Sequence, residues 1–195
     1  MQTAMKSVNG IQEISVEALL SEQRIIYIEG TITYELAANF ARQILYLSQQ
    51  DSSQPVKVFI SSDGGEIDAG MMIYDIIQSS AAPLELYCLG KAYSMAAVLL
   101  CCGQHGRYIL PHSKVMLHEP LIQYGVSGKT SSIQTVAESM MKTKLDMEKI
   151  LARHTGQSLE RLADITKTDH FFSAQEAVEF GLVDGIKDFN EMLGA

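Results

Sequence analysis

The sequence has no apolar run near the roughly 18 residues that a membrane span requires, so no membrane anchor is expected. Met1 to Gly10 contain no apolar signal core, so export is not expected either. Cysteine is scarce. Cys88, Cys101 and Cys102 lie in apolar segments without paired metal-ligand spacing, and so read as small core residues of a reducing compartment, the cytosol. Positive charge is also short: 15 Lys and Arg against 23 Asp and Glu leave a net charge of -8. No run of Lys or Arg offsets it locally, which argues against nucleic-acid binding. There is no internal repeat, low-complexity tract or linker, and 195 residues suit one domain with a sizeable core. Residues 1–23 are set apart as a polar, partly mobile N-terminal arm, in which Ile14, Val16, Ala18, Leu19 and Leu20 mark a short amphipathic turn or strand. Residues 24–195 form the domain.

What the chain does contain is an alternation of short apolar runs and helical patterns. Arg24 to Ile28 is β-branched and ends at Gly30. Thr33 then opens a helix with Leu36, Ala37, Phe40, Ile44, Leu45 and Leu47 at helical spacing. Pro55 introduces a second strand, Val56 to Ile60, followed by Ser61-Ser62-Asp63-Gly64-Gly65 and a helix from about Ile67 to Gln78. The pattern repeats with Leu84 to Leu89 and the helix formers up to Leu100. Unbroken apolar strands separated by helices predict an α/β fold with a parallel sheet covered on both faces. Short strands are expected at Arg107–Leu110 and Ser113–His118, with Leu182-Val183 strand-like near the end. Gln123 to Thr130 reads as a loop or edge strand, and a long helix runs from Ser131 or Ser132 to His154, capped by Gly156. Its stripe of Ile133, Val136, Ala137, Met140, Met141, Ile150 and Leu151 is longer than one small domain needs, so part of it is expected to pack on another subunit. Ser173-Ala174-Gln175-Glu176 is a capping box opening a final short helix.

Three features join Ser94 in pointing to acyl transfer. Ser94 stands where a strand meets a helix, beside unpaired N–H groups and a positive dipole end; serine is also a preferred N-cap, so position alone leaves both roles open. Gly64-Gly65 lets backbone amides approach a ligand closely, and the N–H groups of Gly65 and Met95 are candidates for an oxyanion hole; a Gly-Gly turn serving only chain reversal is the competing reading. His118 ends an apolar strand, and Asp169 sits in the polar link Thr166 to His170. A structural histidine and an ordinary turn acid are the competing readings of these two.

The order of these pieces resembles the proteolytic subunit of the Clp protease. The resemblance is carried by Ser62-Asp63-Gly64-Gly65, Ala69-Gly70-Met71, Ile73-Tyr74-Asp75, Gly90 with Ser94-Met95-Ala96, Met116-Leu117-His118-Glu119-Pro120, Ile150 to Gln157, and Asp169 with Phe171 and Ser173 to Asp184. It implies a spiral of repeated β-β-α units, the ClpP/crotonase-like fold, with a protruding handle over about residues 119–156. It further implies a serine peptidase with Ser94 as nucleophile, His118 as general base and then acid, and Asp169 orienting the imidazole. Two stacked heptameric rings, a hexameric AAA+ unfoldase as partner and unfolded polypeptide as substrate follow from the same resemblance. No cofactor is implied, ATP being used by the unfoldase, and the chain has no G-x-x-x-x-G-K-[ST] motif.

The chain departs from that family at several places. Asp63 stands where Pro is usual, Glu119 where Gln is frequent, and Tyr93 is bulkier than the small residue expected before the nucleophile. Asn9 to Ser21 does not match the family's axial segment, and Lys57 stands near a place where an aromatic residue is often offered to the unfoldase. Peptide hydrolysis is therefore better founded than unfoldase docking. Two other readings remain: a ring-forming scaffold or regulatory paralogue with weak catalysis, and a crotonase-type enzyme acting on coenzyme A thioesters.

Overall fold

A computed structural model describes residues 2–7, 10–122, 125 and 127–193. Gln123, Tyr124 and Val126 of the segment expected to be a loop or edge strand lie outside the described residues. The chain runs β1 (Gln2–Ser7), β2 (Gly10–Ser15), α1 (Val16–Glu22), β3 (Ile25–Ile32), α2 (Tyr34–Gln50), β4 (Val56–Gly65), α3 (Ile67–Ser79), β5 (Leu84–Tyr93) and α4 (Met95–Cys101). It continues through β6 (Arg107–Ile109), β7 (Lys114–Leu117), α5 (Thr130–Thr155), α6 (Leu159–Ile165), β8 (His170–Phe172), α7 (Ala174–Phe180), β9 (Gly185–Ile186) and α8 (Phe189–Leu193).

β3, β4, β5, β6 and β9 lie side by side, all in parallel. β7 joins the C-terminal end of β5 in parallel, and β8 runs antiparallel to β7. This is the expected α/β fold with a parallel sheet. The main core lies between sheet and helices, and a smaller apolar cluster of Ile25, Phe59, Tyr87 and Met192 covers the other face.

Local chemistry explains most boundaries. Thr33 caps α2 by accepting from the Leu36 N–H at 3.3 Å. Ser173 and Glu176 make the expected capping box, and α5 and α7 stop at left-handed Gly156 and Gly181. Arg107 gathers three helix ends: its Nη1 donates to Cys101, His154 and Gly181 carbonyls at 3.0 Å each, where a cation complements the dipoles.

Some local expectations are met and others are corrected. In the N-terminal arm, β1 and β2 pair antiparallel and α1 is a helix capped by Ser15. Leu45 is 61% exposed, one position off the stripe of Ala37, Phe40, Ile44 and Leu47 that reaches the core. Leu182 and Val183 are buried below the C-terminus of α7, and the strand falls at Gly185–Ile186 instead. On α5, Leu151 is buried while Ile133 and Met141 are 44% and 66% exposed, so the far half of this helix lies off the core. All three cysteines are buried and free, and burial pushes the thiols of Cys88 and Cys101 up to about 12. Among the described residues no helix is long and apolar enough to cross a membrane.

One part-buried polar contact makes a pH prediction. Tyr74 Oη of α3 lies 3.0 Å from His154 Nε2 of α5. Burial above all, then the charges of Arg153 and Arg107, hold the His154 imidazole below its ordinary value. The unfolded chain takes up this proton near pH 6.5 and the folded chain only at lower pH, so the contribution is full above about 6.5 and is lost on acidification. The urea midpoint should therefore fall more steeply between about pH 7 and pH 5.5 in the parent than in His154→Gln. Parallel curves for the two proteins would refute it.

Candidate active site

The seven residues of α4 are all buried, so the helix is driven into the core immediately after β5. The chain makes that change of direction in one residue, Ser94, at φ 55° and ψ -124°. A positive φ costs a non-glycine residue on the order of 1–3 kcal/mol. Burial of Val98, Leu99 and Leu100 contributes about 1.5–3 kcal/mol each, enough to hold it. The Ser94 N–H donates to the Met116 carbonyl at 2.9 Å, fastening the bend to β7. Gly64, at φ +94°, leaves room for it: a Cβ there would lie 2.8 Å from Ser94 Cβ.

Ser94 makes no capping hydrogen bond to α4. Its hydroxyl turns instead to His118, with Oγ and Nε2 2.7 Å apart. The capping role open at the level of sequence is thus not taken up. Strand register accounts for the meeting. Tyr93 pairs with Met116 in β5 and β7, which brings the residues just beyond, Ser94 and His118, to one end of the sheet. Leu117 pairs with His170 in β7 and β8, so the next positions outward, His118 and Asp169, face each other. The His118 Nδ1 to Asp169 Oδ1 separation is 3.5 Å, beyond an ordinary hydrogen bond. The imidazole is largely enclosed, its side chain 13% exposed, whereas the carboxylate is 60% exposed.

A cleft of about 860 Å³ opens beside this pair, lined by Gly65, Ser94, Met116 and His118 and closed on one side by Ser139, Met140 and Thr143 of α5. Gly65 lines this cleft together with Ser94. Met95 is the first residue of α4, where an N–H has no intrahelical partner. The two extra carboxylates near the site are both met by lysines: Asp63 Oδ2 accepts from Lys91 Nζ at 2.6 Å, and Glu119 pairs with Lys144 of α5. Hydrogen bonding to Glu119, more than its charge, holds the Lys144 ammonium above its ordinary value. Tyr93 turns from the cleft and packs edge-on against Phe171, ring centroids 5.5 Å apart. The lysine partners and the α5 wall leave little trace in the local sequence; the i, i+4 spacing of Lys144 and Glu148 is the one sign of them.

A family model described as Clp protease matches residues 9–189. The chain belongs to the Clp protease family. Its membership makes it a ClpP-like peptidase, a hydrolase, and the fold is the family's mixed α/β architecture with a parallel sheet. Within this Clp protease family member the matched span takes in Gly65, Ser94, Met95, His118 and Asp169, and leaves β1 outside. The family implies ring assembly and unfoldase partners in general.

Proposed function

We propose that the protein is a serine endopeptidase that cuts unfolded polypeptide inside a chamber of two stacked heptameric rings, fed by an AAA+ unfoldase in the cytosol. The contact of 2.7 Å between Ser94 Oγ and His118 Nε2 carries the reading, because a serine hydroxyl is a weak nucleophile without a base. Ser94 Oγ attacks the scissile carbonyl as His118 takes its proton. The amides of Gly65 and Met95 bind the oxygen that becomes negative. His118 then hands the proton to the departing amine, leaving an acyl-Ser94 ester. Water, deprotonated by the same imidazole, attacks that ester; the acyl group leaves as the new carboxylic acid and the imidazolium returns its proton to Ser94 Oγ. Asp169 stabilises the transient imidazolium and selects the tautomer.

The exposed apolar positions of α5, among them Ile133, Met141 and Leu145, suit contact between rings, and residues 119–156 act as the handle. Residues 1–23 then serve as the axial arm of a single domain over 24–195. The free buried cysteines accord with a reducing compartment. The Ser94–His118 pair favours this reading over a scaffold and over a thioester enzyme, neither of which needs it. A fluorophosphonate probe should label the parent on Ser94 and leave Ser94→Ala unmarked. An unlabelled parent, or equal labelling of both proteins, overturns the proposal.

A further inference from the structure

The cleft beside Ser94 carries its charge on one wall. Asp63, at the end of β4, and Glu66 and Asp68, at the start of α3, line it and are exposed. Lys91 answers Asp63. Glu66 occupies the N-cap position of α3 yet makes no capping hydrogen bond, so its carboxylate is not consumed by the helix. The positive end of α3 accounts for one acid in its first turn, Asp68. Glu66, two residues earlier, adds a second exposed acid to the same wall of the cleft. Facing them, Ser139, Met140 and Thr143 are neutral, and Ile67, Met116 and Leu121 supply apolar surface. His118 is the one lining side chain among the described residues that can carry positive charge.

We propose that Glu66 and Asp68 give the cleft a charge preference: a lysine or arginine in a position flanking the cleavage point is favoured, and acidic flanks are disfavoured. The preference rests on the serine-peptidase reading. A cleft lined by one sign of charge concentrates substrates of the other sign. Exposed ion pairs are individually weak, so the discrimination is about tenfold between Lys and Glu at one position.

The test uses peptides identical but for Lys, Gln or Glu at each position flanking a leucine cleavage point. kcat/KM is measured on the parent and on Glu66→Gln/Asp68→Asn, at low salt and at about 0.5 M. The same peptides, dye-labelled, are titrated against Ser94→Ala by fluorescence anisotropy. The order Lys over Gln over Glu is expected at one flank at least, with the Lys-to-Glu ratio near ten. The ratio should collapse toward one in the double variant and at high salt. A ratio near one at every position in the parent, or one unchanged in a double variant with parental circular dichroism, overturns the proposal. Hydrolysis without charge order defeats the preference alone. Charge-ordered binding without hydrolysis defeats the peptidase reading and leaves the preference as one of binding.

Discussion

His118→Ala should lower peptide hydrolysis by about 10⁵-fold, with secondary structure by circular dichroism unchanged. The imidazole performs two proton transfers in the proposed cycle, and alanine leaves Ser94 Oγ with no base at 2.7 Å. Although largely enclosed, the side chain stands one residue past β7 and meets Ser94 and Asp169 rather than core elements, so its removal costs activity rather than folding. Asp169→Asn should cost less, about 10³-fold. Its carboxylate is 60% exposed and 3.5 Å from the ring, so water competes with it for the imidazolium and screens the pair. Single-turnover acylation by an activated ester measures both. A His118→Ala protein within tenfold of the parent would remove His118 as the base; a loss in Asp169→Asn equal to that in His118→Ala would show that the two side chains close up when substrate binds.

Local patterns carried the helices with clear caps and the strands with unbroken apolar runs. They carried less where a strand crosses residues that favour turns. β4 runs on through Ser61 to Gly65 and β5 through Gly90 to Tyr93, because pairing with neighbouring strands outweighs the turn preference of Ser, Asp and Gly. The site shows the same division. The strand-to-helix junction at Ser94 was legible from composition, but its approach to His118 depends on pairing between β5 and β7, and that of Asp169 on pairing between β7 and β8. Those registers are set by side chains far apart in the chain. Here the resemblance, not the local pattern, brought the three residues together. The lysines that meet Asp63 and Glu119 are illegible in the sequence for the same reason: they lie 28 and 25 residues away.

Gly65→Ala should lower the thermal midpoint by about 10 °C and abolish hydrolysis with it. An added Cβ would sit 2.2 Å from the Ile32 carbonyl oxygen and 2.7 Å from its nitrogen. Both are backbone atoms of β3, paired with Gly65 in the sheet, so no side-chain rotation relieves the overlap. Either β3 and β4 part or the strand kinks, and each alternative also breaks the 2.9 Å bond from the Glu66 N–H to the Ile32 carbonyl. A loss of about 4 kcal/mol is expected, at the upper end for one substitution, and in a chain of this size it gives about the stated shift. Gly185→Ala is the matched control, since nothing lies within 4 Å of its Cβ position and its backbone is not left-handed; its midpoint should move by less than about 2 °C. If Gly65→Ala were equally mild, β3 would not lie against β4 at this point, and the Gly65 amide could not hold its place in the cleft beside Ser94.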